Sequence, residues 1–516
     1  MKAELTEVES LRIRLQKEID GKHSQKERNM MGQFATPDSL ALDIMKEVKN
    51  FCHNDIVKFL EPSVGLGAFY DAFLRTFGPQ AGHALAFEID HDFYKAACLL
   101  WKDYDISFRN EDFLTARQNE DKFNLLVANP PYVRHHLIDP KRKVLLQKEI
   151  LKLTGIQISG LAGLYCYFLI LSKKWLVEGG VSCWLIPTEF MDVNYGSAVK
   201  QFLTEHVQLL RVHRFEADDM QFDDALVSST VIFFRNTKPT DDDILFTTGA
   251  SINKPSQKII IKRHMLQANA KWSPLFKEYH TNEKEDQTYC LGNFFDVKRG
   301  IATGDNHFFI INRQTVDRYD IPSNFLRPVL PSPRYVDKDI INFKLLKDKL
   351  SEKELFLFSC SVSKSVLRDN YPGVYAYIEQ GERNEVNKGY ICRRRTPWYS
   401  CEERKPAPII VPYMGRGDKS KRMFRFILNL SDAITTNVYL LLYPKKEYAR
   451  YLKDPKVLND VWKALNAIPS GSLVSHGREY GGGLHKLEPK ELLKVPVPEI
   501  ASMLLSYRQS KEPMLF

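Results

Sequence analysis

From about residue 55 to residue 235 the chain alternates short runs rich in β-branched and aromatic residues with longer stretches of helical apolar spacing. The strand-like runs are 56–60, 83–87, 106–108, 124–128, 181–186, 209–215 and 230–234. Between them, 67–76, 90–101, 164–177 and 195–206 repeat apolar residues at helical intervals. Such alternation predicts an α/β fold, a doubly wound sheet with helices on both faces. Ahead of it, Asp38 is placed to cap a helix running through Leu40, Ile44 and Val48.

A polar segment, 236–243, contains Pro239 and reads as the end of that domain. The plan expected for the 516 residues is a helical arm over 1–30, an α/β domain over 31–240 and a mixed C-terminal domain over 245–516. The arm carries Leu5, Leu11, Ile13 and Leu15 as its apolar positions, and the C-terminal part is rich in Pro, Gly and aromatic residues. A net charge of +9 leans towards an anionic partner, and its distribution sharpens the point. Between Cys392 and Arg425 there are ten Lys or Arg against three acids, interleaved with Trp398, Tyr399, Tyr413 and Phe424. None of the eight cysteines forms a close CxxC pair, so neither a zinc site nor a disulfide framework is indicated. The opening thirty residues are charged throughout, unlike a signal peptide, and Lys173 and Lys174 break the longest apolar run. A soluble, cytoplasmic protein without a membrane partner is expected.

Four strand ends carry the chemistry. The first is followed by Glu61-Pro62-Ser63-Val64-Gly65-Leu66-Gly67, whose glycines let backbone approach a ligand and turn into a helix. No Gly-Lys-Ser/Thr follows, so this is not a phosphate loop. The second strand ends in Phe87-Glu88-Ile89-Asp90, where an acid can bind ribose hydroxyls. At the third, Glu111-Asp112-Phe113 offers an acid that can accept a hydrogen bond from an adenine amino group. The fourth ends in Asn129-Pro130-Pro131-Tyr132. Two prolines hold the preceding residue extended, so the Asn129 oxygen and a backbone carbonyl can converge on one amino group. Tyr132 adds a ring face for a planar substrate.

Those residue types suit one electronic problem. An exocyclic amine is a poor nucleophile because its lone pair is delocalised into the ring. Two acceptors on its hydrogens favour a pyramidal nitrogen aimed at an electrophile. A sulfonium methyl donor is already activated, so alignment supplies much of the remaining acceleration and no metal is called for.

The Asn-Pro-Pro-Tyr element, the Glu-Pro-x-x-Gly-x-Gly loop and Glu88, preceded by Gly32-Gln33-Phe34-Ala35-Thr36-Pro37, resemble the class gamma (TaqI-type) DNA adenine-N6 methyltransferases of restriction–modification systems. The resemblance implies a Rossmann-like, seven-stranded catalytic domain binding S-adenosyl-L-methionine, with a C-terminal target-recognition domain. It implies catalytic roles for Asn129, Pro130, Tyr132 and Phe222, the last against the far side of an extruded base. It implies cofactor contacts from Thr36, Glu61, Pro62, Gly65, Gly67, Glu88, Ile89, Asp112, Phe113, Asn129 and Phe168. Segments 299–304 and 481–490 are similar to parts of target-recognition domains. With the basic tract they put Arg299, Thr303, Arg393, Arg394, Arg395, His485 and Lys486 at double-stranded DNA. The resemblance also allows a cognate restriction endonuclease in the same system, with no stable complex implied. Two features depart from the family pattern: Asp223 and Asp224 beside Phe222, and a long insert over 134–160.

Enzymes that methylate glutamine in release factors, or structured RNA, share the Asn-Pro-Pro-Tyr element. They are usually shorter, and the Gly-Gln-x-x-Thr-Pro motif with a long trailing domain is unexpected in them. A DNA-binding specificity protein with a degenerate core is a third reading, against which the intact Glu88, Asp112, Asn129 and Tyr132 count.

Overall fold

The computed structural model describes residues 2–22, 24–118, 121–216, 228–276, 289–342, 355–416, 422–480 and 484–511. The chain divides into two units, essentially Met1–Thr281 and then Asn282–Arg478 with Leu484–Phe516.

The first unit opens with helices α1 (Lys2–Asp20), α2 (Gln25–Met31) and α3 (Asp38–Lys49). Strands β1 (Val57–Glu61), β2 (Ala81–Phe87), β3 (Ile106–Arg109), β4 (Phe123–Ala128) and β5 (Leu176–Pro187) follow. They alternate with helices α4 (Ala68–Phe77), α5 (His91–Leu100), α6 (Pro140–Thr154) and α7 (Leu164–Leu171). After α8 (Ser197–Glu205) come β6 (Gln208–Arg214), β7 (Ser229–Arg235), β8 (Ile244–Thr248) and β9 (Gln257–Ile261). The sheet has the order β3-β2-β1-β4-β5-β7-β6-β8-β9. Strands β1 to β5 are parallel, and β7 enters antiparallel between β5 and β6.

Successive residues of the central strands face opposite sides, as the pleat requires. Phe59, Leu125, Val127 and Leu185 pack into one core; Leu60, Leu126, Ala128 and Ile186 pack into the other. Burial on both faces is why these strands read as continuous apolar runs. Strand order reverses between β1 and β4, and a crevice opens at such a switch point beyond the carboxyl ends of the strands.

All seven expected strands are present, and the structure adds two. β8 pairs with β6 and β9 with β8, so the sheet continues past the boundary expected at 240–245. The polar turn with Pro239 is an internal connection, because Ile244, Phe246 and Ile261 complete the core beneath it. The expected arm is likewise part of the first unit, with Leu5 and Ile19 buried. Asp38 is the first residue of α3, not its cap; Pro37 holds the cap position and the Asp38 carboxylate pairs with Arg75. Helix α7 stops at Leu171, well short of 177, since Leu176 already pairs with Phe123 in the sheet.

The second unit is mixed α/β. One sheet runs, in spatial order, Phe295–Arg299, Tyr439–Pro444, Ile409–Pro412, Ile427–Asn429 and Ile340–Ile341. Another consists of Ile310–Asn312, Leu355–Phe358 and Leu326–Val329, and a ribbon pairs Met414–Arg416 with Leu484–Lys486. Helices Pro372–Arg383 and Pro455–Ala467 bury apolar faces against this framework. Among the described residues no helix is long and apolar enough to cross a membrane.

Candidate active site

A cavity of about 360 Å³ lies at the carboxyl ends of the parallel strands, within the range of small-ligand sites. Thr36, Glu61, Pro62, Gly65, Glu88, Ile89, Asp112, Phe113, Asn129 and Phe168 all line it. Gly67 does not. It sits at the N-cap of α4 with φ +84°, and a Cβ there would lie 2.7 Å from the Trp101 indole nitrogen. That close approach requires glycine.

Asn129 is fixed from two directions. Its Nδ2 donates to the Phe34 carbonyl at 2.9 Å and to Thr36 Oγ1 at 3.2 Å, while its own carbonyl accepts from Ser63 Oγ at 3.0 Å. A main-chain carbonyl can only accept, so the amide nitrogen must be the atom facing Phe34. The Oδ1 atom is therefore turned the other way, buried and without a hydrogen-bond partner. Such an acceptor costs about 1–3 kcal/mol when left unmet, which marks it as waiting for a donor. Segment 32–37 is held against the turn by Gly32, whose carbonyl accepts from the Tyr132 N–H at 3.1 Å. With φ +67°, a Cβ at Gly32 would lie 2.5 Å from the Tyr132 nitrogen.

Two acids on the cavity wall are held away from their usual ionisation. Burial pushes Glu88 up to about 7, against the pull of the Asp90 and Gly65 N–H groups, which donate to it at 2.8 and 2.9 Å. Burial also raises Glu61 well above the ordinary carboxylate range, with the Arg12 charge pulling it down; its Oε2 has no partner. Asp112 accepts from the Leu114 N–H and forms an ion pair with Arg142 of α6. Phe113 and Phe168 stack with ring centres 5.6 Å apart, giving the cavity an aromatic wall.

The remaining catalytic expectations divide. Pro131 and Val133 line the cavity, whereas Pro130 and Tyr132 do not. The Tyr132 ring packs 5.5 Å from Phe34 and edge-on to Tyr165, and its hydroxyl donates to the Leu185 carbonyl. Phe222, with Asp223 and Asp224, lies outside the described residues. Sequence reasoning missed several contributors, four of them with polar side chains outside any motif. Arg12, Gln16 and Asp20 come from α1, and Arg142 from the insert, whose α6 buries Leu146 and Ile150 in the core. The only signal for the first three was polar spacing at i, i+4 and i+8, which a solvated helix face also shows.

In the second unit the proposed DNA contacts fall into three groups. Arg299 lies over the Tyr413 ring at 4.1 Å and Lys486 over the same ring at 5.1 Å. Arg393 and Arg394 are exposed, both over Tyr390. Thr303 and His485 are instead buried, and Arg395 is half-buried. Thr303 is 3% exposed with its hydroxyl on Asn306, and Arg395 donates to the Ala302 and Thr303 carbonyls. The expected glycine loop 481–483 lies outside the described residues.

Comparison with known proteins bears on both units. Residues 83–222 match the family model of the Eco57I restriction-modification methylase, and residues 275–512 match that of the C-terminal domain of the type II methyltransferase M.Eco57I. The chain is 28% identical over 490 residues to type II methyltransferase M.AccI of Acinetobacter calcoaceticus, covering 90% of this chain and 85% of the relative. It is 27% identical over 380 residues to M.XamI of Xanthomonas campestris pv. amaranthicola, covering 73% and 68%. Among solved structures, the type IIL restriction-modification enzyme MmeI, determined in complex with DNA, shares the fold. The TM-score is 0.54 at 12% identity, over 94% of this chain and 67% of that one. With a sheet whose strand order reverses beside the cavity and matches in both units, the chain is a DNA methyltransferase of the restriction–modification kind, similar to the Eco57I methylases.

Proposed function

We propose that this chain transfers the methyl group of S-adenosyl-L-methionine to the 6-amino nitrogen of an adenine extruded from double-stranded DNA, as the modification component of a restriction–modification system. The observation that carries the reading is the Asn129 Oδ1 atom, buried, oriented and unpaired at the end of β4. An acceptor fixed there, with the Pro130 carbonyl as its companion, draws on the amine hydrogens and turns the nitrogen lone pair outward.

The residues around the cavity fit the methyl donor. Glu88 suits ribose hydroxyls, Asp112 an adenine amino group, and the Phe113–Phe168 wall a flat purine. Thr36 and the 65–67 loop suit the methionine portion. When bound, the sulfonium supplies an already activated methyl group. The protein's part is alignment and exclusion of water. Adenine inside a duplex is out of reach, so the base is turned out, with Tyr132 and Phe222 as its stacking partners. The second unit reads the sequence; Arg299, Lys486, Arg393 and Arg394 are its candidate contacts with DNA.

Asn129→Ala should lower methyl transfer to DNA by at least the hundredfold to thousandfold typical of losing one positioned polar group, with cofactor affinity close to normal. Radiolabelled transfer and calorimetry check the two halves, and sequencing of modified bases locates the product. Wild-type turnover in the variant would remove Asn129 from the chemistry. Label that enters RNA or a protein glutamine, and not DNA, would overturn the substrate.

A further inference from the structure

Helix α1 turns one polar face to the cavity: Arg12, Gln16 and Asp20 recur every four residues and all three line it. Arg12 is 4% exposed. Its Nε and Nη2 donate to the two oxygens of Glu9 at 2.6 and 2.8 Å. A guanidinium gripped along that edge leaves Nη1, on the opposite side, outside the grip, and Arg12 is one of the residues lining the cavity. Behind that pair, the Glu9 carboxylate lies within 4.8 Å of those of Asp38 and Asp71, with Arg75 paired to both of the latter.

Glu61, at the end of β1, lines the same cavity and is near enough for the Arg12 charge to act on its carboxyl. It is 2% exposed, and its Oε2 has no hydrogen-bond partner. One wall thus holds a positioned cation with an open edge and a buried carboxylate with an open oxygen. A buried charge left in that condition is costly unless a ligand completes it. The matching ligand carries an anion and a cation on neighbouring atoms, as the α-amino acid group of a zwitterion does.

Resting on the methyl-donor reading above, we infer that Arg12 recognises the carboxylate of the cofactor's methionine moiety, opposite Glu61 at its ammonium, and that Glu9 is the positioning residue for Arg12. Helix α1 is then a working wall of the cofactor site.

Two ligands separate this from a structural role. S-Adenosylhomocysteine carries the amino acid group; 5′-methylthioadenosine shares the nucleoside and sulfur but lacks it. Calorimetry on the full chain should show Arg12→Ala losing about tenfold to a hundredfold in affinity for S-adenosylhomocysteine, with affinity for 5′-methylthioadenosine unchanged. Glu9→Gln, which keeps the side-chain volume, should show a smaller loss with the same selectivity, and it serves where Arg12→Ala unfolds. Arg12→Lys should recover part of the preference. Equal losses on both ligands, or no loss on S-adenosylhomocysteine, would overturn the inference. Wild-type protein that binds neither ligand would instead bring down the methyl-donor reading itself, and this inference with it.

Discussion

Glu88 is the residue at which ordinary acid–base chemistry has the clearest consequence. Its carboxyl is pushed up to about 7 chiefly by burial, so the folded chain holds this proton more tightly than the unfolded one. The stability it contributes is complete below the unfolded value near 4.5 and is lost as pH rises through 7. Ligand binding runs the other way. Ribose hydroxyls donate to the ionised form, so affinity for the cofactor should rise between pH 6 and 8, with a proton released to buffer. Glu88→Gln should bind more weakly and lose most of that dependence, and calorimetry in buffers of different ionisation heat tests both. A wild-type affinity flat across the window would take Glu88 away from the ribose. Residues such as Glu88 and Asn129 could be picked from sequence because each stands at a strand end, where fold and chemistry point to one position. Arg12 could not, since an arginine on an amphipathic helix reads as a solvated charge until the helix has been docked.

At the scale of elements, the alternation of strands and helices was readable because a strand buried on both faces needs a continuous apolar run. The readings that failed were local. Pro239 in a polar turn looks the same whether a domain ends there or a sheet adds two strands. The 134–160 insert gave no sign of its place, yet α6 carries Arg142 to the cavity wall and pairs it with Asp112. That pair is part-exposed, so it should contribute no more than about 1 kcal/mol to stability. Its effect on the ligand is indirect. Asp112→Ala removes a proposed acceptor for the adenine amine and should weaken cofactor binding by about tenfold or more. Arg142→Ala keeps the acceptor and loosens only its orientation, so its loss should be the smaller of the two. Calorimetry gives the order, and a larger loss for Arg142→Ala would mean that α6 itself grips the ligand.

For the molecule as a whole, the proposal that the second unit reads DNA predicts where specificity can be exchanged. The nine-stranded sheet ends with β9 at Ile261, and the second unit's first strand begins at Phe295. A chimera that replaces residues from 289 onward with those of a relative of different specificity should methylate the relative's site, as read by modified-base sequencing. One joined at 245 cuts into β8 and should be poorly soluble. A chimera joined at 289 that kept its original target would return recognition to the first unit. Every residue lining the cavity, from Arg12 to Phe168, belongs to that first unit. The residues that line the cavity therefore leave the ribosome before the second unit is made, and segments made first tend to fold first. On the proposed division of labour, each newly made molecule passes through an interval in which its donor cavity is complete while the residues proposed to read DNA have yet to be made.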